Sequence, residues 1–113
     1  EPRQRDEALY LYASAIRWSD FEGAMGFIDP EVLAKKPPSS VELARLAQLQ
    51  VTGYHVQRSA QVSEERLEQV VEIRVVNRNT QVERSVVDRQ EWRWDKDAKR
   101  WWLTSGLPDL APR

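Results

Sequence analysis

Residues 65–94 read ERLEQVVEIRVVNRNTQVERSVVDRQEWRW, and this stretch decides the fold. Apolar and charged side chains alternate on both sides of the polar segment Asn77-Arg78-Asn79-Thr80. That is the period-2 pattern of two half-buried strands joined by a turn. Charges suggest a register for the pair. If Glu64 faces Arg93, then Arg66 faces Glu91, Glu68 faces Arg89 and Arg74 faces Glu83. All four pairs are of opposite sign, each worth a few tenths of a kcal/mol. Sliding two residues one way sets Glu72 against Glu83, and sliding the other way sets Glu68 against Glu91. The charge-paired register therefore predicts a turn at Arg78-Asn79. It also sorts the faces. Leu67, Gln69, Val71, Ile73 and Val75 share one side with Gln90, Asp88, Val86, Arg84 and Val82, and the charged ladder occupies the other.

Two further strands flank this hairpin. Ten valines lie between Val51 and Val87, and β-branched enrichment favours strands. The pattern predicts strands at 49–58, 65–77, 81–94 and 100–107. The last pair closes over Lys96-Asp97-Ala98-Lys99, setting Trp94 against Trp101, Trp92 against Leu103 and Asp95 against Arg100. Trp92, Trp94 and Trp101 then lie on the covered face. Trp102 lies on the outer one beside Arg93, within reach of a cation–π contact.

Ahead of the strands the pattern turns helical. Leu9, Tyr12, Ala13 and Ile16 form one stripe over 6–18, with Asp6 and Glu7 in the first turn. Ser19-Asp20-Phe21-Glu22 reads as a capping box opening a helix over 22–28, which Asp29-Pro30 stops. Lys35-Lys36-Pro37-Pro38 is a loop, and Ser39-Ser40-Val41-Glu42 is a second capping box for a helix reaching about Ala47. Tyr10, Tyr12, Trp18, Phe21 and Phe27 are expected between helices and sheet. Helices first and strands afterwards indicate an α+β fold, with N-terminal helices packed on a curved four-stranded antiparallel meander.

Composition limits the function. The 113 residues make one domain, expected over 6–110, with 1–5 as a polar leader or tether. Seventeen basic against eighteen acidic residues leave a net charge of −1, without the basic excess of a nucleic-acid binder. No apolar run is long enough to span a bilayer. The absence of cysteine removes disulfides, thiol nucleophiles and thiolate metal sites, and a single histidine removes multi-histidine metal sites. No metal and no cofactor are expected. A polar start without an initiator Met fits a tether after a signal peptide or lipid anchor, so the cell envelope or periplasm is expected, with the cytoplasm as the alternative.

Asp88 is the most informative residue. It falls opposite Gln69 and beside Gln90 on a face otherwise built of Val, Ile, Leu and Trp. A carboxylate there must be paired, hydrated or protonated. It is a pocket carboxylate acting as general base or ligand anchor, half of an ion pair with Arg84 or Arg17, or a water-exposed group at the sheet's end. A bulge at Val86-Val87 would also turn it outward. Tyr54 and His55 point to opposite faces. A four-residue loop at 60–63 puts Tyr54 inside with Tyr12, but the residues leave open which of Tyr54 and His55 does so.

The amphipathic first helix, the short helix ending at Asp29-Pro30, the long meander and the closing Trp92-Arg93-Trp94-(turn)-Arg100-Trp101-Trp102-Leu103 together resemble the nuclear transport factor 2-like superfamily. The resemblance implies a cone in which the sheet wraps the first helix and leaves a pocket at the open end. It implies either a noncatalytic exported domain binding a small ligand or protein partner, or a small lyase or isomerase of the ketosteroid isomerase-like type. The expected ligand-binding residues are Gln69, Asp88, Gln90, Tyr54 and Tyr12. Asp88 is the only catalytic candidate. A homodimer through the outer sheet face is the remaining partner reading.

Overall fold

The computed structural model describes residues 2–110. Four helices precede four strands: α1 (Pro2–Arg17), α2 (Phe21–Met25), α3 (Pro30–Lys35), α4 (Ser40–Ala47), β1 (Leu49–Ser63), β2 (Arg66–Asn77), β3 (Glu83–Asp95) and β4 (Arg100–Leu103). The strands form one antiparallel sheet in the order β1-β2-β3-β4. The fold is the α+β arrangement expected, helices against an open meander.

The helix starts differ in detail. Residues 2–5, expected as a leader, form the first turn of α1, and Arg5 Nη1 donates to Gln61 Oε1 at 2.8 Å. Asp6 and Glu7 therefore fall beyond the first turn. Asp20, not Ser19, caps α2 by accepting from the Gly23 amide. Ser19 has φ 60° and its Oγ accepts from the Val51 amide, so it ties the α1–α2 turn to β1. The helix expected over 22–28 ends earlier, at Met25 with Gly26 as its C-cap, so Asp29-Pro30 does not stop it but opens α3. Asp29 accepts from the Glu31 amide and Pro30 takes the first turn, where its missing N–H costs nothing. α4 carries the expected capping box, Ser39 and Glu42 each bonding the other's backbone amide.

β1 runs past the expected end at Arg58 to Ser63, and Glu64-Glu65 make the turn in place of the loop at 60–63. Extra residues at Thr52, Gln57 and Val62 break its register and bend it. Tyr54 faces inward and His55 outward.

The β2–β3 register is two residues from the charge-paired one. Arg66 faces Arg93, Glu68 faces Glu91, Gln69 faces Gln90 and Val71 faces Asp88. Interior packing and the turn prevail over surface charge here. Leu67 lies against the buried Trp92, and Gln69 bonds Gln90 inside the sheet. The connection is the five-residue loop 78–82, where Asn77 Oδ1 accepts from the amides of Asn79 and Thr80 and Gln81 adopts φ 61°. Arg74 still reaches Glu83, at 3.8 Å, and Arg93 turns away to Asp29. Because the shift is even, every inward residue of the two strands stays inward except Val82, which leaves the strand and is exposed.

The β3–β4 register is the expected one, Trp92 on Leu103 and Trp94 on Trp101. β4 ends at Leu103 instead of Leu107. The cation over Trp102 is Arg100, at 3.6 Å, not Arg93. Tyr12, Ile16, Val71, Ile73, Trp92, Trp101 and Leu103 are the centre of the core. Tyr12 meets Phe27 and Trp92 edge-on. Tyr10 and Trp18, expected against the sheet, are exposed, because the α1 stripe through Tyr12 and Ile16 already faces it.

Candidate functional site

Alternation along β3 sends Asp88, Gln90 and Trp92 into the interior, and β2 adds Gln69 beside them. β1 contributes Tyr54 and α1 contributes Tyr12, so all five expected site residues are brought into one buried region. Gln90 is its hub. Its Nε2 donates to Asp88 Oδ2 and to Tyr54 Oη, both at 3.0 Å. Its Oε1 accepts from Gln69 Nε2 at 3.2 Å and from the Trp92 indole at 3.1 Å. Every donor and acceptor of that amide is used, which fixes its orientation.

Burial pushes the Asp88 carboxyl up to about 6 from an ordinary 3.8, against a smaller opposing effect of the Gln90 hydrogen bond. Burial likewise takes the Tyr54 hydroxyl up to about 12, and with the Asp88 charge it holds Tyr12 well above its ordinary range. The Tyr12 hydroxyl is buried without a hydrogen-bond partner. Asp88 thus can take or give a proton near pH 6, with phenols beside it that stay protonated.

The ion-pair reading of Asp88 does not hold. Among the described residues no cation lies within 4.0 Å of it. Arg17 instead donates to the Tyr54 carbonyl at 2.8 Å and lies over its ring, and Arg84 keeps one buried nitrogen unbonded. The outward-flip reading fails too, since β3 carries no bulge at Val86-Val87 and Asp88 is buried.

The larger cavity lies elsewhere. About 600 Å³ opens between α3, α4, the start of β1 and residues 105–110, walled by Val32, Leu33, Leu46, Leu49, Leu107 and Leu110. Lys36, Arg45 and Glu42 supply polar groups to its lining, and Glu42 is already held by the Ser39 amide. A smaller one, about 230 Å³, is lined by Arg58, Glu68, Arg89 and Glu91 together with Gln69 and Gln90. Asp88 lines neither. The cleft residues escaped the sequence reading because α3 was hidden behind Asp29-Pro30 and 104–107 was read as strand. The signal present was Val32-Leu33, followed at a distance by Leu46 and Leu107.

Among the described residues no three or more His, Asp or Glu side chains are grouped to hold a metal, and no helix is long and apolar enough to cross a membrane. No family model, curated protein or solved structure matches the chain.

Proposed function

We propose that this chain is a noncatalytic binding domain that takes a small amphipathic ligand in the cleft between α3, α4 and residues 105–110. The observation that carries the reading is the cleft itself. Its volume falls within the range of about 300–1,000 Å³ usual for small-molecule sites, and its walls come from four separate segments. Aliphatic walls suit an apolar body, and Lys36 and Arg45 suit an anionic end. The polar cluster around Gln90, by contrast, spends its hydrogen bonds within itself. The helix-covered antiparallel meander supports placing the chain with nuclear transport factor 2-like domains. The envelope location stays part of the reading, although a cysteine-free chain fits either compartment, and it is tested by fractionating cells that express the full-length gene product.

The test of the cleft uses anilinonaphthalene sulfonate, an apolar ring system with one anionic group. Saturable fluorescence enhancement is expected, reduced by Leu46→Glu and reversed by a medium-chain fatty acid. Enhancement that never saturates, or that Leu46→Glu leaves unchanged, rejects the cleft.

A second reading is favoured by Asp88 alone. Its raised carboxyl beside Tyr54 has the properties of a general base with a neighbouring polarising hydroxyl, as a small lyase or isomerase needs. Under the first reading Asp88→Asn leaves probe binding unchanged. Under the second, Asp88→Asn would abolish turnover by removing the base while leaving the fold intact.

A further inference from the structure

The two edges of the sheet are treated differently. β4 has only four residues, and its edge is closed by the preceding turn: Ile28 bridges to Leu103 in parallel, Leu103 N donates to Phe27 O at 2.7 Å and Asp29 N to Leu103 O at 2.9 Å. β1 is the other edge, fifteen residues long, and every residue from His55 to Ser63 is exposed. Among the described residues no backbone group outside the β1–β2 hairpin bonds to 55–63. A long open edge offers a row of free amides and carbonyls for another strand.

The usual guards on such an edge are lysine, proline, inward charge and β-bulges. Residues 56–63, Val-Gln-Arg-Ser-Ala-Gln-Val-Ser, contain no lysine, proline or inward charge, and only one charged residue. Bulges at Gln57 and Val62 bracket the run, but Arg58–Gln61 between them pair regularly with Val70, Gln69, Glu68 and Leu67. The segment is also close to a palindrome centred on Ser59. A two-fold axis perpendicular to the sheet through Ser59 would set Val56 on Val62, Gln57 on Gln61, Arg58 on Ala60 and Ser59 on itself. Val56 and Val62, both about half exposed at 43% and 53%, would cover each other. Slid two residues one way, Arg58 meets its own copy. Slid the other way, Val56 meets Glu64 and Val62 meets Arg58. Only the register centred on Ser59 pairs like with like and keeps the guanidinium from a second one.

We propose that the occupant of this edge is a second copy of the chain, pairing antiparallel through Val56–Val62 about a two-fold axis at Ser59 and joining two four-stranded sheets into one. The contact is isologous, so it closes at two copies and does not propagate.

Two substitutions at one position test it. Ala60→Arg places a guanidinium against Arg58 of the second copy, twice by symmetry, and Ala60→Glu places a carboxylate there. Sedimentation velocity over a concentration series is expected to show reversible dimerisation of the unmodified protein. It should be weakened by Ala60→Arg and strengthened by Ala60→Glu, each about 2- to 30-fold in dissociation constant. Within one chain residue 60 faces Glu68, so the effects on folding run the opposite way and cannot imitate the result. The chain has no native cysteine, so Ser59→Cys supplies a single thiol, and its oxidation should give a covalent dimer. A chain that stays monomeric at every concentration overturns the proposal. So does a dimer that both Ala60 variants shift in the same direction, or one that oxidised Ser59→Cys does not link.

Discussion

Arg93, whose opposite number on β2 is Arg66, directs its Nε to the buried Asp29 carboxylate at the start of α3. The pair joins residues 64 apart and pins α3 to the outer side of β3. The Arg93 hydrogen bond is the main cause holding the Asp29 carboxyl below its ordinary range, and burial opposes it. Arg93→Met should therefore cost about 1.5 to 3 kcal/mol in urea unfolding, the range for hydrogen bonds to charged groups. Adding Asp29→Asn should recover part of that loss, because the stranded buried charge is gone. A group with a depressed folded pKa stabilises above its unfolded value. This contribution should thus be present at neutral pH and vanish as pH falls through the lowered pKa of Asp29.

Asp88 acts with the opposite sign. Its carboxyl is raised to about 6 against 3.8, so the folded chain holds a proton that the unfolded chain has lost between those values. Stability should fall as pH rises from about 4 to about 6, by up to about 3 kcal/mol, and then level off. Asp88→Asn can still accept the Gln90 hydrogen bond but cannot ionise. Its melting temperature should exceed that of the parent at neutral pH, with the gap closing toward pH 4. A parent whose advantage grows with pH would contradict this.

Trp92 is 1% exposed, meets Tyr12 edge-on and donates its indole N–H to Gln90. Trp92→Ala should cost about 3 to 5 kcal/mol, as large-to-small changes of buried aromatics do. Trp102 is only partly buried, against Arg100 and Asp95, and Trp102→Ala should cost clearly less. Chemical denaturation of the two variants side by side checks the ranking.

Asn77 holds the β2–β3 loop through two hydrogen bonds from its side chain. Asn77→Ala should cost about 1 kcal/mol. Its clearest effect should be faster amide exchange at Asn79 and Thr80, read by NMR, with β3–β4 amides unaffected.

Which parts were legible follows from which forces wrote them. The β3–β4 register could be read because the Lys96–Lys99 loop pairs Asp95 with Arg100 and keeps Arg93 away from Arg100, whereas the tryptophan faces are the same in either register. The β2–β3 register was misread from Glu68, Arg89 and their neighbours, exposed charges worth tenths of a kcal/mol. Leu67 on Trp92, Gln69 on Gln90 and the turn of Asn77 determine it. The shared inward face of Asp88, Gln90 and Gln69 came through intact, since period-2 alternation is indifferent to a two-residue slip, whereas the choice of Tyr54 over His55 was left open and is made by β1. The cleft was not legible. Leu33, Leu46 and Leu107 come together only through the placement of α3 and α4, and no local pattern encodes that.

The closure of the β4 edge by Phe27, Ile28 and Asp29 sets an order of events during synthesis. The turn after α2 finds its backbone partner only at Leu103, and Asp29 finds its counter-charge only at Arg93. While the chain emerges from the ribosome, α1 and α2 have no sheet to cover and the Tyr12–Ile16 stripe waits in water. Contacts of such long sequence separation slow folding, because loop closure must precede their reward. The β1–β2 hairpin needs only residues 49–77, so its strands are synthesised before β4. Its open edge is then available to neighbouring nascent chains throughout that interval.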